Sequence, residues 1–164
     1  MNDSALLGLA AEAISRCRDA GLRLVLAESL TGGLIAASLT EVAGSSRVLE
    51  GGFVVYSNAA KCAFLGVPSE MIAAYGAVSE PVVRAMAEGA LARARAHIAV
   101  AVTGLAGPDG CSSDKPVGTV WLGCARQGAA TLATRQNFVG GRVAIRRAAV
   151  AEALALIKQT AVRA

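Results

Sequence analysis

Three short apolar segments, separated by longer segments with helical periodicity, constrain the fold of this chain most strongly. They span residues 22–26, 48–56 and 97–102. Segments 22–26 and 97–102 are almost continuously apolar, and segment 48–56 contains the apolar run Phe53–Tyr56. Such runs are typical of strands covered on both faces. The chain is therefore predicted to build its core around a sheet of buried strands.

Helices are predicted in the intervening segments. They cover residues 3–20, 34–41, 68–76, 79–96 and 141–162, with a further short helix capped by Ser57–Asn58. Ser79 is expected to cap its helix with its hydroxyl. Pro81 in the first turn also indicates a helix start, because its missing N–H would have no partner there.

A hairpin is predicted late in the chain, with strands over 118–126 and 131–138 joined at Gln127–Gly128. Helices that alternate with apolar strands cover both faces of a sheet. The expected fold class is thus α/β, a three-layer α/β/α sandwich with a mostly parallel, mixed sheet, and one domain over residues 1–164.

Composition limits the location and the partners of the protein. Apolar runs are interrupted well before the eighteen or so residues needed to span a bilayer, and Met1–Ser4 lacks the segments of a signal peptide. We therefore expect a cytoplasmic protein with no membrane partner. The net charge of +4 comes from scattered residues, and only 4% of residues are aromatic. No nucleic-acid partner is expected, because bases would find few stacking platforms.

Metal and cofactor motifs are absent from the sequence. The four cysteines form no C-x-x-C pair, and His97 is the single histidine. The glycine-rich stretch 104–110 lacks the lysine of a P-loop, and no G-x-G-x-x-G motif follows a strand. We therefore expect reduced thiols, no metal site and no cofactor.

The stretch Ala27–Gly33 carries a serine from the first strand into the next helix. Such a turn presents a hydroxyl and free backbone N–H groups above the end of a sheet, where a carbonyl or an anion can bind. The alternative is a simple helix N-cap with two permissive glycines. Ser29, Tyr56–Ser57 and Thr103–Gly104 all fall at the carboxyl ends of predicted strands, where ligands of such sheets bind. This convergence favours the functional interpretation.

A nucleophilic Ser29 needs a group that accepts its proton. His97 begins the third strand, at the opposite end of the sheet, which argues against a Ser-His-Asp triad. The chain has three lysines, of which Lys115 lies in the long loop and Lys158 near the end of the last helix. Lys61 remains as the candidate base.

Lys61 is expected on the apolar face of its helix, because Phe64 and Leu65 follow it by three and four residues. Burial there would lower the pKa of its amine. The alternative is a lysine that extends along the helix to reach solvent.

Arg142 and Arg146 lie one turn apart at the start of the last helix, on its core-facing stripe. Two inward arginines near a helix N-terminus can bind a phosphate. The alternative is a pair of rim arginines that cover the end of the sheet.

Eight segments together resemble the C-terminal domain of the CinA family. They are AESLTGG (27–33), GSS (44–46), GGFVVYSNAAK (51–61), GAVSE (76–80), MAEGA (86–90), VTGLAGP (102–108), KPVGTV (115–120) and FVGGRVAIR (138–146). The resemblance implies a metal-independent amidase that converts nicotinamide mononucleotide into nicotinate mononucleotide and ammonia. It also implies a small-molecule nucleotide partner and a homo-oligomer, most simply a dimer.

The resemblance also implies roles for individual residues. Ser29 would be the nucleophile, Lys61 the base, and Tyr56 a group that relays or orients the proton. The remaining expected site residues are Leu30, Thr31, Gly32 and Gly33 for the oxyanion hole and substrate, Ser46, Thr103, Gly104 and Gly107 for the substrate, and Arg142 and Arg146 for the phosphate.

Two departures from the family pattern concern the pocket. Leu30 replaces a cysteine common after the serine, and the loop 109–114 is less glycine-rich than usual. The alternative function is a catalytically silent nucleotide-binding or regulatory module linked to competence or damage response. Retention of Ser29, Tyr56 and Lys61 favours the enzyme, since binding alone requires only the glycines and arginines.

Overall fold

A computed structural model describes residues 3–162, which form one five-stranded sheet between two layers of helices. The elements are α1 (Asp3–Asp19), β1 (Leu24–Glu28), α2 (Leu34–Thr40), a 3-10 turn (Ser45–Arg47), β2 (Leu49–Val54), α3 (Asn58–Leu65), α4 (Ser69–Tyr75), α5 (Glu80–Arg93), β3 (Ile98–Gly104), β4 (Thr119–Arg126), β5 (Leu132–Asn137) and α6 (Arg142–Val162). The ends of the predicted domain, residues 1–2 and 163–164, lie outside the described residues.

The sheet has the strand order β2-β1-β3-β4-β5. Strand β1 pairs in parallel with both β2 and β3, whereas β4 is antiparallel to β3 and β5. Four of the five described strands therefore run in one direction, which confirms the mixed, mostly parallel sheet. Glu28 is in register with Val54 on one side and Val102 on the other. The carboxyl ends of these three strands thus lie level at one edge of the sheet.

Two apolar cores lie on opposite faces of the sheet. Leu24 and Leu26 pack in the core that includes α1, α2 and α6, whereas Val25 and Ala27 pack in the core that includes α3, α4 and α5. Alternate residues of a strand point to opposite faces, so β1 contributes to both cores. This confirms the three-layer sandwich. Within residues 3–162, no helix has both the length and the apolarity to cross a membrane.

The two predicted serine caps have different outcomes. Ser57 caps α3, since its Oγ accepts a hydrogen bond from the N–H of Ala60 at 3.1 Å. Ser79 precedes α5, but its hydroxyl donates to the carbonyl of Gly76 at 2.8 Å and makes no cap. The cap prediction for Ser79 was wrong because the preceding turn already uses that hydroxyl.

Candidate active site

The carboxyl ends of β1 and β3 open into a cavity of about 410 Å³. Its volume lies in the range typical of small-molecule sites. The predicted site residues that line it are Ser29, Leu30, Tyr56, Lys61, Thr103, Gly104, Gly107 and Arg142. Sequence reasoning gave no role to the other lining residues, which are Asn58, Ala77, Val78, Leu105, Ala106, Pro108 and Asp109. Several of these residues lie in the segments that resemble the CinA family, and that position was the signal that could have identified them.

Lys61 and Ser29 meet at the inner end of this cavity. Lys61 Nζ lies 3.1 Å from Ser29 Oγ, 3.1 Å from the carbonyl oxygen of Val55 and 3.3 Å from that of Tyr56. A neutral amine has two N–H bonds and one lone pair. The two carbonyls accept the N–H bonds, so the lone pair is left for the hydroxyl proton of Ser29.

Burial lowers the pKa of Lys61 from its ordinary value. The side chain is only 1% exposed, and removal from water disfavours the charged ammonium. Leu65, one turn further along α3, is buried as expected, but Phe64 is 57% exposed and does not cover the lysine. Lys61 thus has the predicted environment, although one of the two expected apolar neighbours does not contribute.

Glu28 shapes the turn that carries Ser29. It is buried, and its carboxylate accepts hydrogen bonds from the backbone N–H groups of Gly33, Ile35 and Ala36 at 2.9–3.1 Å. The turn closes through Gly32 and Gly33, whose φ angles of 62° and 94° favour glycine. Sequence reasoning gave Glu28 no role, since a charged residue at the end of a buried strand breaks the apolar pattern.

Replacing Glu28 with glutamine should destabilise the protein. A glutamine amide keeps one acceptor oxygen but turns an NH₂ group toward backbone donors, so we expect the free energy of unfolding to fall by about 1–3 kcal/mol. Chemical denaturation would measure this loss. Glu12→Gln is the matched control, because Glu12 pairs with Lys158 at the surface and its loss should leave stability near the native value. Equal stability of the two variants would contradict the role of the Glu28 carboxylate in holding the turn.

Two backbone N–H groups of the turn have no partner among the described residues, and of the two residues Leu30 lines the cavity whereas Thr31 does not. The N–H of Gly32 donates to the carbonyl of Ser29 at 3.1 Å, and that of Gly33 is bound by Glu28. Those of Leu30 and Thr31 have no hydrogen-bond partner within residues 3–162. Backbone donors in a protein interior are rarely left unpaired. Of the four residues predicted for the oxyanion hole, Leu30 and Thr31 therefore remain as candidates to donate a backbone N–H.

Arg142 joins the two sides of the cavity mouth. It donates one hydrogen bond to Tyr56 Oη at 2.8 Å and another to the carbonyl of Gly107 at 2.9 Å. Tyr56 is 58% exposed, and it contacts Lys61 through its carbonyl rather than its hydroxyl. The Tyr56 hydroxyl therefore lies beside the guanidinium at the cavity mouth, and its proposed proton relay stays a prediction.

Five predicted site residues do not line the cavity: Thr31, Gly32, Gly33, Ser46 and Arg146. Ser46 is in the 3-10 turn before the amino end of β2, at the opposite end of the strands from Ser29, so it does not line the cavity within this chain. Arg146 donates to the carbonyls of Leu30 and Thr31 instead of lining the cavity beside Arg142. The two arginines do not form the expected clamp, because Arg142 is exposed while Arg146 packs against the turn.

The other candidate bases have structural partners. His97 Nδ1 accepts the backbone N–H of Arg23 at 2.8 Å, at the edge of the sheet away from Ser29 as predicted. Lys115 donates to the carbonyl of Tyr75 and Lys158 to the carboxylate of Glu12. Across residues 3–162, no three His, Cys, Asp or Glu side chains are grouped to hold a metal ion. Lys61 is therefore the lysine that contacts Ser29.

Known proteins resemble this chain over most or all of its length. The family model of the CinA C-terminal domain matches residues 7–161 of the sequence. "Nicotinamide-nucleotide amidohydrolase PncC" of Escherichia coli strain K12 is 48% identical over 159 residues, covering 97% of this chain and 96% of that protein. A "putative competence-damage inducible protein" of Symbiobacterium thermophilum is 52% identical over 147 residues, which cover 85% of this chain and 34% of that longer protein.

Solved structures show the same fold. The competence/damage inducible protein CihA of Agrobacterium tumefaciens superposes with a TM-score of 0.91 at 46% identity, covering 96% of this chain and 94% of that one. A CinA superfamily protein of Klebsiella pneumoniae gives a TM-score of 0.93 at 34% identity, with both chains fully covered. The chain therefore belongs to the CinA C-terminal domain family.

Proposed function

We propose that this protein is a nicotinamide-nucleotide amidase, which hydrolyses nicotinamide mononucleotide to nicotinate mononucleotide and ammonia. The observation that carries the proposal is the 3.1 Å contact between Lys61 Nζ and Ser29 Oγ at the inner end of the cavity. The printed name of the Escherichia coli relative, which matches nearly the whole chain, supports the substrate.

Lys61 acts as the general base of acylation. Its neutral amine takes the proton of the Ser29 hydroxyl as Oγ bonds to the carboxamide carbon of the nicotinamide ring. The pyridinium charge makes that carbon more electrophilic than the carbon of an ordinary amide. The N–H groups of Leu30 and Thr31 stabilise the resulting oxyanion.

Collapse of the tetrahedral intermediate releases ammonia and leaves an ester on Ser29. Lys61 returns its proton to the departing nitrogen, which makes the amine neutral again. Lys61 then takes a proton from water as the water oxygen attacks the ester, and it returns that proton to Ser29 Oγ as nicotinate mononucleotide is released. One lysine thus serves both half-reactions.

Arg142 is the cationic side chain on the cavity wall that suits the phosphate of this substrate. It lies at the exposed mouth, whereas Ser29 is 7% exposed and lies deep. A nucleotide with its carboxamide at Ser29 therefore has its phosphate directed outward, toward the guanidinium.

A site that only binds nucleotides is the alternative, and the burial of Lys61 argues against it. Removing an amine from water costs stability, and the lysine contacts Ser29 rather than the mouth where a phosphate would lie. Binding alone gains nothing from this arrangement.

The test is the release of ammonia and nicotinate mononucleotide from nicotinamide mononucleotide by the native protein, with and without a chelator. We expect turnover that the chelator does not reduce. If the native protein binds the nucleotide in calorimetry but releases no ammonia, the binding module replaces the enzyme. The cytoplasmic location and the homodimer stay predictions.

A further inference from the structure

Arg146 connects α6 to the turn that carries Ser29. Its Nε donates to the carbonyl oxygen of Leu30 and its Nη2 to that of Thr31, both at 2.9 Å. A guanidinium is a rigid planar fork, so two bonds to consecutive carbonyls fix the orientation of both peptide groups. The contact is close, since a Cβ added to Gly32 would lie 3.3 Å from Nη2.

The fixed orientation of the Leu30 carbonyl also fixes the orientation of the Thr31 N–H. The peptide group between Leu30 and Thr31 is planar and trans, so its C=O and its N–H point in opposite directions. Because the C=O points to Arg146, the N–H of Thr31 points away from it. This N–H is one of the two in the turn without a partner among the described residues.

The next peptide group is held in the same way. The carbonyl of Thr31 accepts Nη2 of Arg146, while the N–H of Gly32, in the same peptide group, donates to the carbonyl of Ser29. Arg146 therefore helps to hold the two peptide groups that follow Leu30 and Thr31, and the N–H of Leu34 also donates to the Thr31 carbonyl at 3.3 Å. The positive guanidinium on these carbonyls further polarises the N–H groups of the same peptide groups.

We propose that Arg146 is a positioning residue for the oxyanion hole, which aims the N–H of Thr31 at the oxyanion without touching the substrate. This inference rests on the proposed amidase. It replaces the expectation that Arg146 binds phosphate, because Arg146 is directed to the carbonyls of Leu30 and Thr31 and, unlike Arg142, does not line the cavity.

The first experiment compares the kinetics of Arg146→Lys and Arg146→Gln on nicotinamide mononucleotide and on the corresponding riboside, which lacks the phosphate. We expect kcat to fall by about 100-fold for Arg146→Gln and less for Arg146→Lys, with KM changed by less than about threefold, since misaimed donors weaken transition-state binding. The fold-decrease in kcat should be the same for the nucleotide and for the riboside.

Two other arginines of α6 supply the controls. Arg147→Lys should retain native kinetics, because Arg147 pairs with Asp3 outside the cavity. Arg142→Gln should raise KM for the nucleotide alone. A rise in nucleotide KM for the Arg146 variants, with riboside kinetics unchanged, would show a phosphate contact and overturn the proposal. A native kcat in Arg146→Gln would overturn the proposal as well.

A second readout does not depend on the substrate. An alkyl fluorophosphonate labels a reactive serine as the Oγ–P bond forms and fluoride leaves, and charge then builds on the phosphoryl oxygen. We expect the labelling rate of Ser29 to fall at least tenfold in Arg146→Gln and to stay native in Arg147→Lys. Unchanged labelling in Arg146→Gln would overturn the inference. Labelling of a native protein that leaves the nucleotide intact would refute the proposed function alone.

Discussion

Ser29→Ala is expected to reduce the hydrolysis of nicotinamide mononucleotide by at least about 10⁴-fold, because no acyl-enzyme can form without the hydroxyl. The change removes one oxygen atom from a turn that is held by other groups. The Ser29 N–H donates to the carbonyl of Val102 at 3.0 Å, and Glu28 binds the start of α2. The variant should therefore fold and still bind the nucleotide.

Ammonia release, nucleotide binding by calorimetry and thermal unfolding together measure this result. Ser38→Ala is the matched control, since the Ser38 hydroxyl donates to the carbonyl of Leu34 within α2 and lies outside the cavity. We expect native turnover for Ser38→Ala. Turnover above about 1% of the native rate in Ser29→Ala would rule out Ser29 as the nucleophile.

Lys61→Met is expected to lower kcat by about 10²–10⁴-fold, the usual contribution of a general base. Lys61→Arg should fail as well, even though it keeps a cation, because a guanidinium does not give up its proton in proteins. Lys158→Met serves as the control, since Lys158 pairs with Glu12 on the surface. Activity retained by the arginine variant would show that Lys61 supplies charge and not a proton acceptor.

The pH dependence of the native enzyme follows from the lowered pKa of Lys61. Only the neutral amine accepts the serine proton, so kcat/KM should rise with pH through that pKa, at a midpoint below the ordinary lysine value of 10.5. The residual activity of Lys61→Met should lack this rise. An unaltered pH profile in the variant would assign the titration to another group.

Stability should depend on the same titration. Between the lowered pKa of Lys61 and about 10.5 the unfolded chain binds more protons at this side chain than the folded protein, so the free energy of unfolding rises with pH there. Lys61→Met should remove this part of the slope, whereas Lys158→Met should keep it. Denaturation at several pH values would show the difference.

Predicted site residues that follow from strand ends line one cavity. Ser29 and Tyr56 lie at the carboxyl ends of two predicted strands, and parallel strands in register bring those ends to one edge of the sheet. Glu28 was missed for the opposite reason. Its charge breaks the strand pattern, and its partners are backbone N–H groups that converge only when the turn has formed.

The sequence by itself determined the layered α/β fold and the serine turn, because periodicity and turn residues record which face of an element is apolar. Only the tertiary structure decided between a buried and a solvent-reaching Lys61, separated Arg142 from Arg146, placed Ser46 away from the cavity and showed which N–H groups of the turn remain unpaired. These features depend on contacts such as the one between Arg146 and Leu30, which lie 116 residues apart in the chain. Such contacts form only when α6 packs against the end of the sheet, and no local pattern encodes them.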